Sequence, residues 1–429
     1  VLLVMERYKI SPAQIYSITC DNARNMVKMV DLFNENSENN DEPVDDTDEE
    51  NISNLEDNDD VILQNIQDMI GTSDIEVGPL TTCMRCAVHT FQLAICDSMK
   101  DRSIQGILSK ARKAVKILRT QTYAAWLKRE GLKQAILDIE TRWNSTFNML
   151  YRLIELKQFC VTNEQIILSS NDWNLVGKIV TALEPAKIAT VQMQSNSLTP
   201  GDIYGIWLKT QMSLSKINIP LSKTLLKNMA ERQKHIFMNP VFESAIYLDP
   251  HYQHLMSVTS KTNAVLHLVN TYNLMKNIKN YNDTVQDQDT DEFITEISET
   301  TNENIETGLE ENDPNNFQLY LQSLSQGIPS SSQSSSSNTD TVSISIVSLL
   351  NLYDNQPILP HTESILFYWE SKKFECPELY ALSHVVMAVP TTQVSVERSF
   401  SSLKFVFGDL RSRLGSELLE KIMLIRANK

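Results

Sequence analysis

A short α/β unit followed by a mostly helical chain is the fold class that this 429-residue sequence predicts, and three observations carry it. The run Gln14 to Cys20 (QIYSITC) is rich in β-formers, and a helical pattern with Met26, Val27, Val30 and Phe33 on one face follows it directly. Helical periodicity then persists from about Asn144 to Lys279. Two acidic blocks interrupt this pattern and cannot bury enough apolar surface to stay ordered.

In chain order, residues 1–10 (VLLVMERYKI) read as an amphipathic helix, followed by the β-rich run and a helix from about Asn22 to Phe33. These form a first segment, 1–34, and an acidic disordered insertion spans 35–78. From 79 to 140 the α/β unit continues. Here Ile107, Leu108, Ala111, Val115 and Leu118 recur at 3–4 spacing beside the bases Lys110, Arg112, Lys113, Lys116 and Arg119. A helical body covers 141–280, with breaks expected at Pro185, Pro200, Pro220 and Pro240. An acidic and Ser-rich linker is expected over 281–356, and a final helical unit rich in Phe367, Tyr368, Trp369, Phe400 and Phe405 over 357–429.

The net charge of −16 is misleading, because its distribution matters more than its sum. Glu35 to Glu76 holds 16 acids and Asp283 to Asp313 another 12, with no Lys or Arg in either block. Without those 28 acids the remainder has 26 acids against 38 bases, a body of +12 that suits phosphate contacts. The longest apolar runs, Ile344 to Leu350 and Leu382 to Pro390, fall well short of the ~20 residues of a membrane span. Six widely spread cysteines have no disulfide-scaffold pattern, and a reducing compartment is the default. Because residue 1 is Val, the chain is expected to begin inside a longer reading frame.

Four constellations could carry chemistry. Asp21 stands where the strand ends and a helix begins, as an N-cap or as a carboxylate ligand for a divalent metal. Cys83, Cys86 and His89 place three soft ligands close together, but a structural zinc needs a fourth, so a buried Cys86–His89 pair is the other reading. In Thr141-Arg142-Trp143-Asn144-Ser145 the Trp is either a core anchor or a platform for a base, with Arg142 holding phosphate. Glu397, in Val396-Glu397-Arg398-Ser399-Phe400, follows Pro390 and the capping candidates Thr391 and Thr392. It is a surface Glu or a functional one in an apolar neighbourhood.

Taken in order, Thr19 to Met26, Arg85-Cys86-Ala87-Val88-His89, Thr141 to Thr146, Tyr247-Leu248-Asp249-Pro250 and Ala388 to Phe400 resemble five successive motifs of the hAT family of DNA transposases. The resemblance implies a partial RNase-H-like domain interrupted by a large all-helical insertion and completed by a C-terminal dimerisation region. It further implies an Asp-Asp-Glu set holding Mg²⁺ for phosphoryl transfer, with Asp21 as the second Asp and Glu397 as the Glu. Trp143 would stack on a flipped-out base beside Arg142, with Lys113 and Lys116 on DNA, and Cys86 and His89 near the active centre. In this reading the first Asp is missing, since Glu6 is the sole acid before Asp21, and no BED-type zinc finger is present. The expectation is therefore a nuclear, homodimeric, DNA-binding derivative that is inactive in cleavage as it stands, with Mg²⁺ only if competent, no zinc, no membrane and no small-molecule substrate. The alternatives are a fragment of an active transposase and a domesticated nuclear regulator.

Overall fold

The computed structural model describes residues 2–11, 14–21, 82–140, 142–163, 165–195, 197–285, 314–325, 345–406 and 415–427. The helix expected after Asp21, the first acidic block and most of the second, with its Ser-rich run, lie outside these residues. In order the elements are α1 (Leu2–Tyr8), β1 (Ser17–Cys20), β2 (Thr82–Arg85), α2 (Ala87–Ser98), α3 (Arg102–Leu118), α4 (Gln121–Arg129), α5 (Trp143–Glu155), α6 (Lys157–Val161), α7 (Ser170–Gln192), α8 (Pro200–Ser215), α9 (Pro220–Phe237), α10 (Pro240–Tyr247), α11 (Val258–Val285), α12 (Pro314–Ser325), α13 (Ile346–Tyr353), α14 (Ile365–Lys372), α15 (Pro377–Met387), α16 (Val394–Val406) and α17 (Ser416–Ala427). The architecture is mostly helical, and β1 and β2 pair as a two-stranded sheet.

Two units interleave along the chain. One comprises 1–18, 23–84 and 238–389, and the other 19–22, 85–237 and 390–429. In the first, α10 packs along α11, and both meet α15. Buried polar groups close this core: Trp369 Nε1 donates to the Leu248 carbonyl at 2.9 Å, and the Tyr247 hydroxyl to the Leu350 carbonyl at 2.9 Å. Helices α12 and α13 fall inside the stretch expected to be linker. They form because Phe317, Leu321, Leu350 and Tyr353 find apolar cover and are buried. Composition averaged over 281–356 hides these short apolar runs.

The second unit is a helical body in which α2 lies on α9, α7 packs with α5, α8 and α9, and α3 meets α5 and α7. Its centre is aromatic, with Trp207 fully buried and edge-on to both Phe91 (5.3 Å) and Phe237 (5.4 Å). The helix starts follow local chemistry. Ser169 and Thr199 form capping boxes with Asp172 and Asp202, and Pro200, Pro220 and Pro240 each open a helix, where a missing N–H costs nothing. Pro185 departs from the expected break, because it lies inside α7 and the helix continues through it. Ala182, Leu183, Ala186 and Ala189 are buried around it, and that packing outweighs one lost hydrogen bond to the Thr181 carbonyl. No helix among the described residues is long and apolar enough to cross a membrane.

Candidate functional site

Within the second unit, three segments far apart in sequence meet around Cys86. The strand end Thr19–Cys20 is followed by Asp21, which is half-buried. The Cys86 amide donates to the Cys20 carbonyl at 2.7 Å, and the Ala87 amide to the Thr391 carbonyl at 2.9 Å. Gln393 clamps both sides, its Nε2 donating to the Thr19 carbonyl at 2.9 Å and its amide to Cys86 Sγ at 3.4 Å. The Thr19 hydroxyl donates to the Pro390 carbonyl. Asp21, the Cys86–His89 helix start and the first turn of α16, which carries Glu397, are thus held by one small hydrogen-bond network.

The electrostatics of Cys86 fit this placement. Burial pushes its thiol up, the N–H groups of His89, Gln393 and Val88 oppose the rise, and the charge of Glu397 adds to it. Cys86 therefore stays a thiol at neutral pH and serves as packing and as an N-terminal cap position rather than as a nucleophile. His89 is half-buried in the first turn of α2, and Glu397 is exposed on α16. Among the described residues no three His, Cys, Asp or Glu side chains come together as a metal-binding group. Mg²⁺ is commonly bound by one or two carboxylates with water and substrate phosphate filling the rest, and Asp21 and Glu397 are the carboxylates that these segments would offer it.

Trp143 is placed in the core of the second unit. It begins α5 at only 3% exposure, and its Nε1 is buried with no hydrogen-bond partner among the described residues. An indole in that position is a core anchor, and it reaches a base only if the start of α5 opens. Arg142 beside it is exposed, and its amide donates to the Ile139 carbonyl at 2.8 Å. On α3 the apolar stripe from Ile104 to Leu118 is buried, and Lys113 and Lys116 are exposed with no ion pair among the described residues. Two other bases on the same helix are already neutralised, Lys110 by Asp172 at 2.8 Å and Arg112 by Asp138 at 2.7 Å.

Asp138 is the residue that the sequence reading missed. Its carboxylate is 1% exposed and takes two guanidinium bonds from Arg112 (Nε to Oδ1 3.0 Å, Nη2 to Oδ2 2.7 Å) and one from the Thr146 hydroxyl at 2.9 Å. Burial would raise its pKa, but these hydrogen bonds and the Arg112 charge outweigh it and hold it below the usual carboxylate range. The available signal was an acid in an apolar run, Ala135-Ile136-Leu137-Asp138-Ile139, where an unpartnered carboxylate would be costly.

Residues 349–428 match the hAT family C-terminal dimerisation region, and residues 84–182 match the ZBED1 RNase-like helical domain. Over these two stretches the chain is similar to the hAT transposase and ZBED1 families. Among similar proteins, human zinc finger BED domain-containing protein 4 is 24% identical over 80% of this chain and 29% of its own length. The putative AC transposase of Zea mays is 22% identical over 79% of the chain and 43% of its own length. The zinc finger BED domain-containing protein DAYSLEEPER of Arabidopsis thaliana is 22% identical over 68% and 40%. The chain thus spans less than half the length of each of these relatives. The dimerisation region runs from α13 to α17 and includes Glu397, and the RNase-like match includes Cys86, Asp138 and Trp143.

Proposed function

We propose that this hAT-related chain is a nuclear, self-associating, DNA-binding protein whose two-stranded sheet belongs to an RNase-H-like fold. The observation that carries the self-association is the exposure of aromatic side chains in the matched dimerisation region: Phe367 and Phe374 of the first unit are 80% and 92% exposed, and Phe400 of the second is 66% exposed. Phenylalanines left this far in water suit a surface that another protein covers, and the match to a dimerisation region supports a second copy as that protein. Truncation would also remove Trp369 and Leu382 from the core, so point substitutions are the cleaner test. Phe367→Ser and Phe400→Ser, each removing about 1.5–3 kcal/mol of potential burial, are expected to weaken the dimer about tenfold or more in sedimentation velocity. An unchanged association constant in both variants would sink the assignment.

DNA binding is supported by Lys113 and Lys116 on α3, which are exposed and have no ion pair among the described residues. Strand cleavage is not part of this reading; Asp138, a further carboxylate of the second unit, is engaged by Arg112 and Thr146. A second reading, cleavage by a longer protein that includes this chain, is favoured by the hydrogen bonds that tie the strand end before Asp21 to the helix of Glu397. In that case Asp21→Ala and Glu397→Ala abolish metal-dependent nicking and leave self-association intact.

A further inference from the structure

The first unit contains a buried histidine that neither DNA nor dimer contacts explain. His251 follows the Leu248-Asp249-Pro250 corner, and its side chain is 8% exposed beside an Asp249 side chain at 2%. Its Nδ1 lies 2.6 Å from Asp249 Oδ1, and its Nε2 lies 3.1 Å from the carbonyl oxygen of Glu363. Both partners accept hydrogen bonds and neither can donate, since Asp249 also takes the His251 amide at 3.0 Å. A neutral imidazole has a single N–H and would leave a lone pair pointed at one of the two oxygens. An imidazolium satisfies both. Burial alone would lower the His251 pKa, but Asp249 and the carbonyls of Glu363 and Pro360 outweigh it and raise the ring above its ordinary value.

The far end of this contact is the strap 354–364, which leads into α14. The Leu359 amide donates to the Pro250 carbonyl at 3.3 Å, and the His361 ring stands edge-on to His251 at 6.0 Å. The groups that surround the latch are few. Asp249 is the acceptor, Tyr252 and His361 flank the ring, Glu363 offers its carbonyl, Tyr353 lies within the field of Asp249, and Asp354 is engaged by Gln253 and Lys261.

We propose that His251 is a proton-held latch, an imidazolium that bridges the Asp249 corner to the strap, and that losing its proton frees the strap and alters how α14 presents Phe367 to a second copy. The second half rests on the self-association reading, and the first does not. Because the bound pKa lies above the unfolded value of about 6.5, the latch is fully closed below that pH. It opens as pH rises through the bound value.

The test is hydrogen exchange of the Leu359 amide in the full chain from pH 6 to 9, corrected for intrinsic exchange, together with NMR titration of the histidine rings. The wild type is expected to show a His251 ring that titrates above ordinary histidine and a corrected exchange rate that rises about tenfold, the factor expected for losing one charged hydrogen bond. In His251→Gln, which has a donor but no titrating proton, the His251 signal disappears and exchange is flat with pH. A wild-type ring titrating at or below about 6.5, or exchange that does not change with pH, overturns the latch. If the strap opens but the dimer constant does not follow it over the same pH range, the latch stands and its link to self-association fails.

Discussion

The Asp138–Arg112 pair sets how much of the second unit depends on one carboxylate. Replacing Asp138 with Ala removes three hydrogen bonds and leaves the Arg112 guanidinium, whose side chain is only 18% exposed, without its main counter-charge. Breaking a buried ion pair from one side costs about 3–5 kcal/mol. The partial exposure of Arg112, and Glu140 at 3.6 Å as a weaker substitute, place this case at the low end, about 3 kcal/mol. For a unit of this size 1 kcal/mol corresponds to about 2–4 °C in Tm, so a loss of about 6–12 °C is expected in calorimetry. The double variant Arg112→Met/Asp138→Leu should recover much of it, because no buried charge is stranded. The pH dependence has a fixed sign. Asp138 is depressed in the folded state, so its contribution is present above the unfolded carboxylate value of about 3.9 and is lost as pH falls from there through the folded value. The acid-induced fall in Tm should therefore be shallower in Asp138→Asn. A loss under about 2 °C in the single variant, or a double variant no better than Asp138→Ala, refutes the reasoning.

Two further outcomes follow from the second unit. Lys113→Glu with Lys116→Glu should weaken duplex DNA binding about equally for all sequences and flatten the salt dependence by about two ion equivalents, as read by fluorescence anisotropy at several salt concentrations; an unchanged slope would move the DNA contact off α3. Thr199→Ala removes the hydroxyl that accepts from the Asp202 amide at 3.2 Å and opens the capping box of α8. It should lower stability by about 1 kcal/mol, measured as a shift in the urea midpoint, and no shift would mean that the packing of Trp207 alone holds that helix.

What was legible in the sequence was local. The buried stripe of α3 is written at 3–4 spacing, and Pro200, Pro220 and Pro240 mark helix starts because their effect acts within one turn. Pro185 was misread for the same reason: its local rule was right, but the burial of its neighbours, a tertiary property, outweighed it. The motif order brings Asp21, Cys86 and Glu397 to attention, but Gln393, whose side chain and amide help join their segments, carries no signal in sequence. A glutamine becomes a clamp only when a strand carbonyl some 370 residues away lies within reach of its amide.

Trp143 and Asp138 extend this argument. An indole and a carboxylate five residues apart have the same composition whether they face solvent or core, and the partner decides which. Arg112 comes 26 residues earlier on α3, while Asp138 lies in the non-helical stretch before α5, and only the arrival of Arg112 makes Asp138 tolerable inside an apolar run. Once that pair is closed, the Thr146 hydroxyl is drawn to the same carboxylate, which fixes the first turn of α5 and keeps Trp143 inside. Among the described residues the Nε1 of Trp143 has no partner, a cost to the closed state that lowers the energy needed to open the start of α5. An opening there would show as raised exchange at the Ser145 and Thr146 amides and as a red-shifted indole emission in Asp138→Ala. A variant whose Trp143 stays buried would show that the pair does not set the position of the helix start.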